Sequence, residues 1–198
     1  MSFTKQIVLF FIIFLLVQGC KEKYTPKPRS YFRIHFPEKT YHRLNNDFPY
    51  NFDVADYASI LSDSRNPEEP YWINISVPEN RSEIHISYYK LHENEKPLRT
   101  LLSEFMEESR KLAYKHSIKA DAIEEQMYVN PRDKVFGTIY RINGNAASPI
   151  QFFLTDSTNH FLRGALYIRE VPNIDSLKPV IDFLEPDIIN IIETASWK

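Results

Sequence analysis

Cys20 is the one cysteine of the chain, and it stands directly after a glycine at the end of the run IVLFFIIFLLVQGC, Ile7 to Cys20. Used as an attachment point, it leaves no thiol for a disulfide, a thiolate nucleophile or a Cys-ligated metal. A second group of chemically able residues lies near one turn: Asp156, His160 and Arg163 bring a carboxylate, an imidazole and a guanidinium together. Such a set could line a ligand pocket, although Asp156 is equally a turn former and Arg163 an ordinary strand residue. Arg163 and Tyr167 share a strand face with Ala165 between them, which could form a flat stacking surface for sugar or peptide. Gln151, Asp156, His160, Arg163 and Tyr167 are therefore the candidate interaction surface. Catalytic patterns are missing: there is no GxSxG, HExxH, P-loop or GxGxxG. The six histidines (His35, His42, His85, His92, His116, His160) are scattered, and no pair has helical ligand spacing with a carboxylate between. Glu124 and Glu125 are adjacent, so in a strand they point to opposite faces and cannot act as an acid/base pair. His85, mid-strand and opposite Ile84 and Ile86, reads as a solvated histidine. The expectation is a protein with no catalytic residue, no metal and no cofactor.

The apolar run Ile7 to Val17 has 11 residues, against the roughly 20 that a bilayer-spanning helix needs. With Lys5 and the amino terminus as a positive flank, it has the form of a secretory signal over residues 1–19. Val17-Gln18-Gly19-Cys20 resembles the bacterial lipobox, apart from Gln18, where a small or aliphatic residue is usual. That resemblance implies a diacylglyceryl group on the Cys20 thiol, cleavage just before it, and acylation of the new amine. Each buried CH₂ of an acyl chain contributes ~0.8 kcal/mol, so two or three chains hold a protein on a membrane. KEKYTPKPRS, Lys21 to Ser30, has two prolines and no apolar period, and residues 20–30 read as a tether behind the lipid. Its basic residues either touch anionic lipid or glycan or are simply solvated. Export to the cell surface is signalled in some bacterial groups by an acidic pair after the cysteine. Lys21-Glu22-Lys23 holds a single acid, which points to a periplasm-facing protein.

Removing Met1 to Gly19 from the 198 residues leaves 179, one domain's worth. The whole chain has 24 Lys+Arg and 26 Asp+Glu, a net charge of −2, which argues against a general nucleic-acid binder. The folded domain is expected over 31–198. YFRIHF (31–36), YWINISV (71–77) and EIHISYYK (83–90) alternate with period two, as half-buried strands do, and PYNFDV is a weaker instance. From Pro97 to about His116 the spacing changes: Leu98, Leu101, Leu102, Phe105, Met106, Leu112 and Ala113 form one helical stripe, with Pro97 suited to the first turn. DAIEEQMYV, KVFGTIYRI, PIQFFLT and HFLRGALYIRE then follow as four strands of a meander. Asn143-Gly144 is the expected hairpin turn after the second of them, and Asp156 to Asn159 the turn after the third. Gly137 and Gly164, inside strands, mark bulges or close backbone approaches. Asp175 to Trp197 is a second helix that Pro186 should kink or divide. The fold class is thus α+β: an antiparallel sheet of six to eight strands with two packed helices. One helix on each face would make a three-layer sandwich like that of the Mog1/PsbP group.

Four blocks carry a closer resemblance: PKPRSYFRIHFPEKTY (26–41), LAYKHSIKADAIEEQ (112–126), GNAASPIQFFLTDSTNHFLRGALY (144–167) and the closing ETASWK. They resemble the GldD family of gliding-motility lipoproteins from Bacteroidetes, over nearly all of the chain behind Cys20. The resemblance implies a lipid-anchored envelope protein required for gliding and linked to the type IX secretion machinery, with envelope proteins of that machinery as its partners. It transfers one residue role, lipidation of Cys20, and no catalytic residue. The phylum also implies O-glycosylation at Asp-Ser/Thr-aliphatic sites, which Asp175-Ser176-Leu177 fits and Asp156-Ser157-Thr158 fits loosely; Asp175-Ser176 equally suits a helix N-cap. Three readings stand side by side: a non-enzymatic assembly or scaffold lipoprotein, an envelope binding module for glycan, lipid or peptide, and an enzyme of unknown type.

Overall fold

Among the described residues the chain builds one antiparallel sheet of seven strands, and a helix lies on each of its faces. The computed structural model describes residues 35–44, 47–93, 96–115 and 118–198. Strands β1 (Tyr41–Arg43), β2 (Tyr50–Asn51), β3 (Asp53–Ala55), β4 (Ser59–Ser62), β5 (Ile73–Val77) and β6 (Ser82–Lys90) precede helix α1 (Leu98–Tyr114). Then come β7 (Ala120–Asn130), β8 (Val135–Gly144), β9 (Ile150–Thr155), β10 (His160–Ile168), helix α2 (Ile174–Glu193) and β11 (Ser196–Trp197). The main sheet has the order β4-β5-β6-β10-β9-β8-β7, and β1 with β3 and β11 with β2 make two small ribbons. The expected meander is β7 to β10, every pair antiparallel. Described residues from His35 to Lys198 cluster as one unit.

The two faces bury different helices. Ile73, Ile75, Ile84, Ile86, Phe152, Leu154, Leu162 and Leu166 share a core with Val180, Leu184, Ile188, Ile191 and Ile192 of α2. On the other face Tyr140, Ile142, Phe153 and Phe161 pack with Leu101 and Ala113 of α1. The molecule is therefore a three-layer α+β sandwich. Gly164 shows why one strand residue must be small: a Cβ there would sit 2.1 Å from Cζ of the buried Phe152 ring. The close approach expected from a glycine inside a strand is thus a ring laid on the backbone.

Several local expectations are corrected. Pro186 does not divide the last helix, which runs unbroken from Ile174 to Glu193. Proline in a helix interior costs about 3 kcal/mol, but each aliphatic side chain buried on either side of it returns about 1.5–3 kcal/mol. The N-cap is Asn173, whose side chain accepts from the Asp175 amide at 3.2 Å, so Asp175 and Ser176 lie inside the first turn. Trp197 is in β11 beside Tyr50, not in the helix. Asn143-Gly144 is not the turn: Gly144 does take a positive φ of 106°, yet both residues pair with β7, and the reversal falls after them. The ladder wins because β7 is long enough to keep pairing there, and Pro149 then accepts from the Ile142 amide at 2.8 Å. Of the expected strand 31–36, His35 and Phe36 are not in a strand, and 31–34 lie outside the described residues, as do Cys20, the leader and the tether.

Candidate functional site

Helix α1 packs on β9 and β10, and the same sheet face beyond it, over β5 and β6, carries polar side chains. Register puts them in rows. Asn74 of β5 stands opposite His85 of β6, His85 opposite Ala165 of β10, and Ala165 opposite Gln151 of β9. One step along, Ser87 faces Arg163, and one step back Glu83 faces Tyr167. Ala165 is the small residue at the centre. The loop after β4, Asp63 to Asn66, closes one side, and the result is a cleft of about 730 Å³. That lies within the ~300–1,000 Å³ range of ligand sites.

Buried Asp63 anchors the loop. It accepts from Asn66 Nδ2 at 2.7 Å, from Arg65 Nε at 3.1 Å and, more weakly, from Asn74 Nδ2 at 3.5 Å. Burial alone would raise its pKa; the hydrogen bonds from Asn66 and Arg65 outweigh burial and hold the carboxyl at about 2. Buried Glu83 accepts from Arg169 Nη2 at 2.7 Å and lies 3.2 Å from His85 Nε2. The other His85 ring nitrogen meets Arg65, and the ring stands edge-on to Tyr167 at 4.9 Å. Burial first, then the Arg65 charge, push the His85 imidazole below its ordinary value against the pull of Glu83. Arg163 donates to Gln151 Oε1 at 2.7 Å, a neutral partner. Among the described residues it has no carboxylate in ion-pair range.

The Asp63 network makes a prediction. A carboxyl held below its unfolded value stabilises the fold above the unfolded pKa, and that stability is lost as pH falls through the folded value. Resistance to denaturant should therefore fall as the pH drops from about 4 to about 2. Asp63→Asn should remove that share of the acid slope and lower stability at neutral pH.

The expected interaction surface splits. Gln151, Arg163 and Tyr167 do share one face, Arg163 and Tyr167 lining the cleft and Gln151 buried beside Arg163. Asp156 is a turn former: its Oδ1 accepts from the amides of Thr158, Asn159 and His160 at 2.8–2.9 Å. His160 is stacked on Trp197 at 5.1 Å, with its Nδ1 2.8 Å from the Tyr88 hydroxyl. Both therefore lie apart from the cleft. Sequence reasoning missed Asp63, Asn74 and Glu83 and took His85 as merely solvated. The available signal was the polar half of EIHISYYK: Glu83, His85 and Ser87 share a face of a strand that has neighbours on both sides.

A second surface lies at the opposite edge of the sheet. β7 is the last strand, and among the described residues its outer edge pairs with nothing. Met127 and Val129 stand 81% and 61% exposed on it. Beside it, Arg99, Leu102 and Met106 of α1 border a groove of about 460 Å³ that reaches Glu125 and Thr138. Glu125 is held there by the Tyr114 hydroxyl at 2.6 Å and by Arg110 at 3.4 Å.

Among the described residues no group of three His, Cys, Asp or Glu could hold a metal ion, and no helix is long and apolar enough to cross a membrane. The class defined by fold and site is a three-layer α+β sandwich with a charged, side-chain-lined cleft on one sheet face. Within that class the chain belongs to the gliding motility lipoprotein GldD family, whose model matches residues 21–197. Its membership makes it a lipoprotein of gliding motility. Comparison with curated proteins found no match. Among solved structures the chain is similar to cyanobacterial PsbP (CyanoP) from Synechocystis sp. PCC 6803, with 9% identity and a TM-score of 0.40, covering 88% of this chain and 100% of that one.

Proposed function

We propose that this chain is an envelope lipoprotein, anchored through Cys20 and facing the periplasm, that acts as a non-enzymatic assembly component of the gliding apparatus and its type IX secretion machinery. Residues 1–19 serve as the signal peptide, 20–30 as the lipidated tether and 31–198 as the working domain. The observation that carries the assembly role is the edge of β7, eleven residues long. An open strand edge offers main-chain hydrogen bonds to an extended segment of a partner, with alternate side chains adding specificity. β7 contains Asp121, Glu124 and Glu125 and no Lys or Arg, so the segment it suits is basic. In-cell crosslinking of a tagged copy, with affinity capture from membranes, should recover envelope subunits of the motility or secretion apparatus. Met127→Lys combined with Val129→Lys should abolish that recovery at unchanged folding, because both substitutions meet a basic partner with like charge. Unchanged capture by this variant would remove β7 from the interface.

The cleft favours a second reading, a binding module for an envelope ligand. Its groups are charged and are fixed by neighbouring strands and by one another, with Asp63 and Glu83 buried. The two readings use different parts of the sheet, a face over β5, β6 and β10 and the edge of β7, and are compatible in one molecule.

A further inference from the structure

The cleft also defines what it would hold, and this inference rests on the binding-module reading. Its floor is the face of strands whose backbone groups are spent in the sheet ladder. An extended peptide therefore finds no main-chain edge there, and recognition must come from side chains. Those side chains are amides (Asn66, Asn74), hydroxyls (Ser62, Ser87), paired charges and the Tyr167 ring. Amide and hydroxyl groups offer both donors and acceptors, which suits a ligand dense in hydroxyls, and the aromatic ring suits the flat apolar face of such a ligand.

The charges complete the description. Asp63 is matched by Arg65, and Glu83 by Arg169. Arg163 is left over, oriented by Gln151 but not neutralised by it. His85 is taken up between Arg65 and Glu83, and the cleft carries one uncompensated guanidinium in a recess, where a charge-assisted bond is shielded from solvent better than at an open surface. We propose that the cleft binds a carboxylate-bearing saccharide, whose carboxylate pairs with Arg163 while its hydroxyls bond to the Asn66 and Asn74 amides. Gln151 is a positioning residue: it holds the guanidinium toward the cleft.

The test is calorimetric titration of the full-length protein in detergent with three probes: trigalacturonate, neutral maltotriose and triglutamate. Trigalacturonate should bind, and maltotriose should bind at least tenfold more weakly. A hydrogen bond to a charged group is worth about 1.5–3 kcal/mol, so Arg163→Gln should weaken trigalacturonate by about ten- to a hundredfold. Arg163→Lys should recover part of the loss, since it restores charge without the planar fork. Arg110→Gln, over the other groove, should change nothing. Equal binding of both sugars, or no effect of Arg163→Gln, would overturn the charge assignment and leave the binding-module reading in place. Binding of triglutamate in preference to both sugars would overturn the saccharide assignment alone. If none of the three binds at millimolar concentration, the inference and the binding-module reading fail together, while the assembly role stands or falls by the strand-edge capture.

Discussion

Asp187→Ala should cost the domain about 3 kcal/mol or more of unfolding free energy, a large share of the ~5–15 kcal/mol that holds an ordinary domain folded. Asp187 is a buried carboxylate on α2. Its Oδ1 accepts from Lys39 Nζ at 2.6 Å and from the Tyr41 hydroxyl at 2.8 Å, and its Oδ2 from the Tyr57 hydroxyl. These donors come from the segment before β1, from β1 itself and from the turn after β3, so one carboxylate pins all three to the helix. Lys39 also donates to the Phe183 carbonyl at 2.6 Å and lies 4.0 Å from the centre of the Phe183 ring. Burial, then the bond to Asp187, push the Tyr41 phenol up to about 12, and the same two causes raise Tyr57 as well. Both phenols are thus donors at any pH the fold meets. Alanine would strand a half-buried ammonium and two hydroxyls, and an unmet buried donor costs about 1–3 kcal/mol. Because Lys39 keeps 28% of its side-chain surface, water can rescue part of its charge, which places the expected cost at the lower end of the range for broken buried pairs. Urea unfolding measures it directly. The double change Lys39→Met with Asp187→Leu should recover part of the loss by exchanging the pair for apolar contact. A drop below about 1 kcal/mol for Asp187→Ala would mean that the cluster is solvated rather than structural.

How far the sequence discloses this fold depends on the length of each element. β5, β6 and β8 to β10 are five or more residues long and rich in apolar, β-branched and aromatic side chains, so they rise above chance as strands although β9 is buried on both faces. β1 and β4 have three and four residues, and in Tyr41–Arg43 and Ser59–Ser62 no side chain is fully buried. They exist because a partner strand supplies the ladder, which is a tertiary fact. Asn143-Gly144 as the turn and Pro186 as a point of division fail for the same reason in reverse: a sound local preference yields to pairing with β7 and to the buried stripe of α2. The cleft was half legible. Arg163 and Tyr167 could be placed on one face of one strand. That Glu83, His85 and Asn74 join them depends on β6 lying beside β10, a crossover pairing of strands about 80 residues apart in the chain. No local pattern carries that information.

Replacing Cys20 should separate the domain from the membrane and stop gliding without unfolding anything. The described residues hold no helix that could cross a bilayer, and the apolar run before Cys20 is too short to serve as a lasting span. One acyl chain gives only marginal, reversible attachment, whereas two or more hold firmly, because each CH₂ adds ~0.8 kcal/mol. On the proposed anchoring through Cys20, a Cys20→Ala chain behind an ordinary cleavable secretion leader lacks every acyl chain at once. Its ratio of membrane-bound to free protein should fall by about two orders of magnitude or more. Its thermal unfolding should match the parent, since both hydrophobic cores are built from residues between Phe36 and Trp197. Fractionation and colony spreading read the two consequences separately. A third chain, Cys20→Ala held by a transmembrane helix, distinguishes the lipid from the location: restored spreading would show that proximity to the membrane is the whole contribution of the cysteine. If the free Cys20→Ala form spread as well as the parent, the anchored-assembly reading would be lost, because a component that works equally well in bulk periplasm needs no tether to find its partners.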